Sequence, residues 1–235
     1  MDQGMDAAVV EDTAAGARRV VLFDFDGVIV RHQTLELFYR QRLSGLGRWR
    51  VLLALPLVPF VPVLIGSVAG NRFLGRVFLR VVTFGRSEAG CRRLMNAFGR
   101  TYARRPGVFC RDAVVTLRRH VDAGDRVVIV TGNEQEMVEA MLDEVNLGGC
   151  ELVASQARMG LFGMRFVNHN VHHAKVRTLD RAGIPRPWAV AYGDSLSDVP
   201  MLKAADAARL VNPSPKTLKK ASRLLAGKLE AVYWY

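Results

Sequence analysis

The sequence has few cysteines, and their arrangement excludes several classes of protein. Cys91, Cys110 and Cys150 are scattered among 235 residues and lack the paired spacing of a zinc site. A disulfide framework is therefore not indicated. The three thiols are predicted to stay reduced, as in a cytoplasmic protein, and to pack as small apolar side chains. We also find no internal repeat and no low-complexity tract.

The first residues lack the features of a secretory signal. Residues 1–17 contain Asp2, Asp6, Glu11 and Asp12, without a positively charged start or an apolar stretch. We expect this region to be a flexible tail.

Acidic residues are outnumbered by basic ones, 22 to 33, which gives a formal net charge of +11. This charge favours an anionic partner: a phosphorylated substrate, a nucleic acid or an anionic membrane surface. The sequence has no helix-turn-helix pattern, no zinc spacing and no basic patch interleaved with aromatic residues. A nucleic-acid-binding protein is therefore the least favoured of these classes.

One short apolar stretch ends in two carboxylates. Val20 to Phe23 is typical of a buried parallel strand, and Asp24, Asp26 and Gly27 follow it. Because strand side chains alternate between faces, the two aspartates are predicted to project to the same side at the carboxyl end of the strand, where open α/β sheets bind ligands. Their repulsion requires a cation or a shared proton. The pair indicates a nucleophile with a general acid/base; the alternative is a solvated strand end.

The second half of the chain alternates strands with helices, which predicts an α/β fold with a parallel sheet covered by helices. The predicted strands are Arg126–Val130, Cys150–Ala154, Trp188–Tyr192 and one ending at Val211, with Leu161–Phe166 as one arm of a hairpin.

Further polar residues fall at strand ends or helix starts. Thr131 follows an apolar strand and could bind a phosphate oxygen, together with the backbone amides around Gly132. Lys175 lies near a helix start, where an ammonium could neutralise a phosphoryl group; a solvated lysine is the alternative. Asp194 and Asp198 follow the apolar strand Trp188–Tyr192, and their oxygens suit Mg²⁺.

Residues 51–69 form an apolar segment without a charged residue. Its length approaches that of a membrane span, but Pro56, Pro59 and Pro62 would interrupt an ordinary helix. The arginines around it, Arg42, Arg48, Arg50, Arg72, Arg76 and Arg80, favour a membrane interface. The alternative is the buried core of a helical hairpin.

In this order, Asp24-x-Asp26, Thr131, Lys175 and Asp194-x-x-x-Asp198 resemble the four motifs of the haloacid dehalogenase-like phosphatase superfamily. The resemblance implies a doubly wound, Rossmann-like parallel sheet with an inserted α-helical cap. It divides the chain into a flexible tail at residues 1–17, a phosphatase core domain at residues 18–30 and 106–235, and a helical cap domain at residues 31–105.

The resemblance also implies roles for these residues. Asp24 would be the nucleophile that becomes an aspartyl phosphate, and Asp26 the general acid and base. Thr131 and Lys175 would hold the phosphoryl group. Mg²⁺ would be bound by Asp24, Asp194 and the Asp26 backbone oxygen. Asp198 would orient these metal ligands.

Within the superfamily, the motifs resemble those of phosphoserine phosphatases, but one position differs. A cap glutamate that holds the substrate's amino group in those enzymes is replaced by Gln33. Other stretches, including Leu52–Ile65 and Thr83–Ala89, are similar to phosphatidylglycerophosphatase C, a bacterial lipid phosphatase. Gln33, Gly132, Asn133 and His173 are the candidate substrate-binding residues.

The predicted reaction is therefore hydrolysis of phosphatidylglycerophosphate to phosphatidylglycerol by a cytoplasmic enzyme that is peripheral on the inner face of the cell membrane. The alternative is a phosphatase of a small soluble phosphomonoester similar to phosphoserine or histidinol phosphate. A non-catalytic protein that binds anions or nucleic acid is a distant third hypothesis.

Overall fold

The computed structural model describes residues 18–65, 67–225 and 227–235. The predicted flexible tail, residues 1–17, lies outside the described residues.

A seven-stranded sheet forms the centre of the molecule, in the order β4-β3-β2-β1-β5-β6-β7. All neighbouring strands are parallel except β3 and β4, which form an antiparallel hairpin. The strands are β1 Val20–Asp24, β2 Arg126–Glu134, β3 Glu151–Gly160, β4 Gly163–Asn168, β5 Trp188–Gly193, β6 Ala205–Val211 and β7 Leu229–Val232. The predicted α/β fold with a largely parallel sheet is confirmed.

The apolar sequence of β1 explains its central position. All five of its residues are buried, since helices cover both faces of the sheet. Val21 and Phe23 contribute to the hydrophobic cluster on one face, and Val20 and Leu22 to the cluster on the other. This alternation leaves β1 no exposed face and fixes its register.

Helices cover the sheet after β1 and between later strands. Those of the core are α5 Arg111–Asp122, α6 Gln135–Asp143, α7 His173–Arg181, α8 Val199–Ala204 and α9 Pro215–Leu225, with a short 3₁₀-helix at Leu196–Asp198. They occupy both faces of the sheet, as a doubly wound fold requires.

Four α-helices and a long 3₁₀-helix lie between β1 and α5. They are α1 Thr34–Leu43, the 3₁₀-helix Gly45–Phe60, α2 Val61–Ile65, α3 Val68–Thr83 and α4 Glu88–Ala103. Gly99 of α4 packs against the Met137 carbonyl of α6, 2.5 Å from where a β-carbon would lie, so this close approach requires glycine. α3 packs along β4.

The apolar segment is not a continuous α-helix. Pro56 and Pro59 lie within the 3₁₀-helix, where each ring removes an N–H donor. By length and composition, Gly47–Ile65 is the one stretch of the described helices that could cross a membrane, but almost none of it is buried. The alternative of a buried hairpin core is therefore wrong for this conformation.

Three details of the sheet differ from the sequence-based expectation. β2 continues past Val130 to Glu134, with a shift in its pairing to β3 between these residues. β3 continues to Gly160, so Leu161 and Phe162 form the hairpin turn and β4 starts at Gly163. The edge strand β7, Leu229–Val232, was not predicted, because a four-residue, half-exposed strand has too little periodicity to be recognised.

Candidate active site

The carboxyl ends of β1, β2 and β5 meet at one edge of the sheet and surround a cavity of about 220 Å³. The cavity is lined by Asp24, Asp26, Gln33, Leu35, Thr131, Gly132, Asn133, His169, Val171, Lys175, Asp194, Ser195 and Ser197. The polar residues predicted from the strand ends are thus brought together by the parallel sheet.

Lys175 lies between two carboxylates at the bottom of this cavity. Its Nζ is 2.7 Å from Asp24 Oδ1 and 2.7 Å from Asp198 Oδ1, and all three side chains are buried. Burial disfavours the charged lysine, but the charges of Asp198 and Asp24 outweigh it and raise the pKa of Lys175. The ammonium is therefore retained, and the alternative of a solvated lysine is wrong.

The charged forms of the Asp24 and Asp194 carboxylates are unfavourable unless a further cation is bound. Burial and the charge of Asp198 raise the pKa of Asp24 well above its ordinary value, despite the opposing effect of Lys175. Burial and Asp198 also raise the pKa of Asp194, to about 7. One ammonium does not compensate three carboxylates, so the cluster favours binding of a cation.

The donor set fits Mg²⁺. One oxygen each of Asp24, Asp194 and Asp198 can be chosen so that all lie within 4.8 Å of one another. Carboxylate oxygens are the ligands that Mg²⁺ prefers. Gly27 lies directly against Asp194, and a β-carbon there would overlap the carboxylate. With its φ of 77°, this position needs glycine for both conformation and space.

Asp198 is already occupied by hydrogen bonds, which suits a positioning role. Its Oδ1 accepts from Lys175, while Oδ2 accepts from the backbone N–H groups of Asp194 (3.2 Å) and Ser195 (3.3 Å) and from the Ser195 hydroxyl (3.2 Å). Lys175 outweighs burial and lowers the pKa of Asp198. The charged carboxylate thereby fixes the loop that carries Asp194.

The Asp26 carboxylate is held by the start of α1. It accepts hydrogen bonds from the Thr34 hydroxyl at 2.6 Å and from the Thr34 N–H at 3.1 Å. Burial raises the pKa of Asp26 to about 6, against the opposing effect of the hydrogen bonds from Thr34. A carboxyl group with this pKa can both give and take a proton near neutral pH, as a general acid/base must.

The regular pairing of β2 with β3 is interrupted between Val130 and Glu134, and the turn that the chain makes there is suited to bind a phosphate. Thr131 Oγ1 accepts from the Asn133 N–H at 3.1 Å, and the buried Asn133 side-chain nitrogen has no partner. Gly132 lies so close to Val171 Cγ1 that a β-carbon would be 2.7 Å from it. Unpartnered donors of this kind favour an anion.

Buried residues that were not recognised in the sequence hold this turn in place. Asn170 Nδ2 donates to the Thr131 carbonyl at 3.2 Å, and Ser155 Oγ donates to the Gly132 carbonyl at 2.7 Å. The Asn170 N–H in turn donates to Ser155 Oγ at 2.8 Å. Since these partners come from different strands and loops, the sequence contains no local signal for them.

The structure brings Gln33 to the cavity but not His173. His169 lines the cavity instead, stacked on Phe166 with 4.4 Å between ring centroids. Burial, with the charges of Arg76 and Arg72, lowers the pKa of His169 to about 4. His173 lies at a separate surface depression with Val176 and Arg177. The sequence-based choice of His173 thus placed the cavity histidine four residues too late, because three histidines lie within five residues of one another and no local pattern shows which one faces the cavity.

A family model described as haloacid dehalogenase-like hydrolase matches residues 21–203. The span covers β1, the inserted helices and the strands that carry Thr131 and Asp194.

Among curated proteins, the chain is 36% identical over 110 residues to a phosphoserine phosphatase of Halobacterium salinarum, covering 44% of this chain and 51% of the relative. It is 29% identical over 102 residues to a phosphoserine phosphatase of Mycobacterium tuberculosis, covering 41% of this chain and 33% of the relative. The chain thus spans a third to a half of the length of these relatives.

Among solved structures, a protein of unknown function from Bordetella pertussis matches 93% of this chain and 99% of its own. The TM-score is 0.68 at 20% identity, which supports the same fold.

Proposed function

The chain belongs to the haloacid dehalogenase-like hydrolase family, and on this basis we propose that it is a magnesium-dependent phosphomonoesterase. The observation that carries the proposal is the buried contact of Lys175 with both Asp24 and Asp198, beside a turn that can bind phosphate. A buried lysine that is held by two carboxylates and lines a cavity large enough for a phosphate ester has a clear use in phosphoryl transfer.

In the proposed reaction, an Asp24 carboxylate oxygen attacks phosphorus and the ester P–O bond breaks. Asp26 donates its proton to the leaving alcohol oxygen, and an aspartyl phosphate remains on Asp24. Asp26, now a carboxylate, takes a proton from water as the water attacks phosphorus. The Asp24–phosphate bond then breaks, which releases phosphate and restores the carboxylate.

Other residues bind and orient the phosphoryl group. Thr131 and the amides near Gly132 and Asn133 bind its oxygens, and Lys175 compensates negative charge on both the phosphoryl group and Asp24. Asp24, Asp194 and the Asp26 backbone oxygen would hold Mg²⁺, which supplies further neutralisation of the phosphoryl charge.

For the substrate, we propose a small phosphomonoester as the first candidate. The cavity of about 220 Å³ accommodates a phosphate and a short alcohol, and the curated relatives include phosphoserine phosphatases. Gln33 argues against phosphoserine itself, since a neutral amide pairs with an ammonium less strongly than a carboxylate does. A soluble phosphomonoester without an ammonium near the phosphate fits this lining better.

A lipid phosphomonoester such as phosphatidylglycerophosphate is the second candidate. One observation favours it: the apolar segment is exposed, and its helical neighbour α3 contacts the cavity through Arg72, which donates to the Val171 carbonyl at 3.2 Å. In this case the protein would act as a peripheral enzyme at an anionic membrane surface.

A phosphate-release assay tests the function and separates the two candidates. The panel contains phosphoserine, histidinol phosphate, simple soluble phosphomonoesters and phosphatidylglycerophosphate in detergent, each with Mg²⁺ or with a chelator. We expect Mg²⁺-dependent release that is lost in Asp24→Asn, whose amide is nearly isosteric but cannot attack phosphorus. Near-normal activity of Asp24→Asn would refute the mechanism, and the highest kcat/KM in the panel identifies the substrate class.

A further inference from the structure

The apolar segment exposes hydrophobic side chains over most of its surface. Val51 is 41% exposed, Leu52 63% and Leu53 44%. Half-buried residues recur every three to four positions, at Ala54, Leu57, Val61 and Leu64, so one narrow face packs on the rest of the protein. The other directions around the segment are apolar and exposed. Exposed there are Leu55, Val58 and Phe60 of the 3₁₀-helix and Val63 and Ile65 of α2.

A second exposed apolar site lies at the turn of the β3–β4 hairpin. Leu161 is 90% exposed and Phe162 63%. We call these two residues the hairpin tip. Apolar side chains at a solvent-exposed turn have no role in the fold, since they contact little of the protein.

The hairpin and the start of the apolar segment both lie at the carboxyl end of α3. The Met164 N–H, just after the tip, donates to Thr83 Oγ1 at 2.8 Å. Trp49, just before the apolar segment, has its ring centroid 6.5 Å from that of Phe84. Thr83 and Phe84 are adjacent in sequence, so both apolar elements lie near the same end of α3.

The other end of the apolar segment lies near the cavity. Leu64 contacts Gly70 at the amino end of α3, so the segment follows α3 along its length, about 24 Å for 16 residues. Near that end of α3, Arg72 binds the carbonyl of Val171, which lines the cavity. A surface that covers the segment would therefore lie close to the cavity.

Positive charge surrounds these apolar elements. Between Glu36 and Glu88 the sequence contains no acidic residue, and its arginines there are Arg40, Arg42, Arg48, Arg50, Arg72, Arg76, Arg80 and Arg86. Arg158 and Arg165 flank the hairpin tip and are exposed. Within the described residues, Arg48, Arg80 and Arg165 form no ion pair with a carboxylate.

We propose that the apolar segment and the hairpin tip together form a docking surface for an anionic lipid bilayer. The side chains enter the interfacial region while the arginines contact lipid headgroups. A bilayer explains the surface better than a second copy of the chain does, because fluid lipid can cover a broad, curved apolar surface without a matching shape. Two copies would also bring their arginines together.

The docking does not require a membrane crossing. Both ends of the segment contact α3. Asp24, which precedes the segment in the sequence, contacts Lys175, which follows it, so the chain on both sides of the segment belongs to one site. The segment therefore lies along the surface. This docking is separate from the phosphatase proposal, although it would place the cavity near lipid phosphates.

Vesicle co-sedimentation of the full chain tests the proposal. We expect binding to vesicles of phosphatidylglycerol and phosphatidylcholine, weaker binding at high salt, and little binding to pure phosphatidylcholine. Leu161→Ser with Phe162→Ser, and separately Leu52→Ser with Phe60→Ser, should each lower the affinity at least tenfold. The matched control is Val121→Ser with Leu224→Ser, which removes exposed apolar side chains of α5 and α9 and should bind as the wild type does.

Tryptophan fluorescence provides a readout that does not depend on folding differences between variants. Trp49 is 46% exposed at the proposed surface, so its emission should shift to shorter wavelength when anionic vesicles are added. The shift should disappear in Trp49→Phe and persist in Trp234→Phe.

Several outcomes would overturn the docking surface. They are wild-type-like binding by the hairpin-tip variant, equal binding to neutral vesicles, and a dimer that these changes convert to a monomer without affecting vesicle binding. Asp24→Asn should bind vesicles normally, and the hairpin-tip variant should hydrolyse p-nitrophenyl phosphate normally. Failure of the docking surface and failure of the phosphatase mechanism are therefore distinguishable.

Discussion

At the scale of single residues, Gln33 connects substrate choice to the acid/base group. It lines the cavity and immediately precedes Thr34, whose hydroxyl and N–H hold the Asp26 carboxylate. Residue 33 is thus at a fixed position relative to Asp26, although its own side chain is exposed. A change there can alter the charge that a substrate meets without disturbing the hydrogen bonds to Asp26.

Gln33→Glu should shift specificity towards substrates with an ammonium group. A carboxylate at this position pairs with the ammonium, which is worth about 1 to 2 kcal/mol, or roughly tenfold in kcat/KM. The measurement is the ratio of kcat/KM for phosphoserine to that for a matched phosphomonoester without the amine. Gln33→Ala is the control, since it removes the amide and adds no charge. An unchanged ratio in Gln33→Glu would show that residue 33 does not contact the substrate.

Glu134 gives a pH prediction that is independent of the metal site. Burial raises the pKa of Glu134 from 4.5 to about 7. The hydrogen bond from the Glu136 N–H and the charge of Arg92 oppose the rise, and the charge of Glu136 adds to it. A raised carboxyl pKa means that the folded state binds the proton more tightly than the unfolded state. The stabilising contribution is therefore complete below about pH 4.5 and is lost as the pH rises through 7.

Glu134→Gln should remove this loss of stability. The amide oxygen can still accept from the Glu136 N–H, which is 2.9 Å from the Glu134 carboxylate, but it does not ionise. The wild type should lose on the order of 2 to 3 kcal/mol more than the variant between pH 5 and pH 8. Urea denaturation at the two pH values measures the difference. Glu139→Gln, on the exposed side of α6, should follow the wild type, and a Glu134→Gln curve parallel to the wild type would contradict the assignment.

At the scale of elements, the junction between α3 and the β3–β4 hairpin depends on one glycine. Gly163 has a φ of 110°, and a β-carbon there would overlap the Arg80 carbonyl and lie 2.7 Å from Thr83 Oγ1. Thr83 Oγ1 also donates to the Leu79 carbonyl at 2.6 Å while it accepts from the Met164 N–H. The hairpin is thus attached to α3 by a buried hydroxyl and by close backbone contact.

Gly163→Ala should destabilise the protein by more than backbone strain alone. We expect a loss of about 2 to 3 kcal/mol in the free energy of unfolding, from positive φ and steric overlap together. The control is Gly183→Ala, which has a φ of 67° but open space around the site, and should lose about 1 kcal/mol. Equal losses in the two variants, measured by chemical denaturation, would show that the junction is loose.

Elements with a local signal could be predicted from the sequence. Leu35, Phe38, Tyr39 and Leu43 recur at helical spacing and predict a helix over Thr34–Leu43, which is α1. Ser87 followed by Glu88 predicts a helix start, and the Ser87 hydroxyl oxygen accepts from the Gly90 N–H at 3.1 Å at the start of α4. The conformation of the apolar segment was only partly predictable. Its prolines exclude an ordinary helix, but whether the side chains are buried depends on how much surface α1 and α3 offer, which periodicity does not encode.

At the scale of the whole molecule, the candidate site is assembled from distant parts of the chain. Asp24 ends β1, Lys175 belongs to α7, and Asp198 ends the short 3₁₀-helix after β5, yet their charged atoms are in contact. The strand-end pattern predicted this convergence because parallel strands end at a common edge. The network of Ser155 and Asn170 that fixes the turn at Thr131 could not be predicted, since each partner is an ordinary polar residue in an unrelated segment.

The same convergence predicts that Mg²⁺ stabilises the whole fold. Asp24, Asp194 and Asp198 repel one another in the metal-free protein, and an ion that binds only the folded state adds RT ln(1 + [Mg²⁺]/Kd) to the free energy of unfolding. At a hundredfold excess over Kd this is about 2.7 kcal/mol, or several degrees in Tm for a chain of this size.

Asp194→Asn should abolish the rise in Tm that Mg²⁺ produces in the wild type. The asparagine has nearly the same shape but lacks the charge, and the metal-free variant should be at least as stable as the metal-free wild type because one repelling carboxylate is gone. The matched control is Asp206→Asn, an exposed carboxylate near the start of β6 and thus at the opposite edge of the sheet, which should keep the full Mg²⁺ effect. Thermal unfolding at pH 7.5 with Mg²⁺ or a chelator measures all three proteins. If Mg²⁺ still raised the Tm of Asp194→Asn, the cation would bind elsewhere, because this variant lacks one of the charged ligands of the cluster.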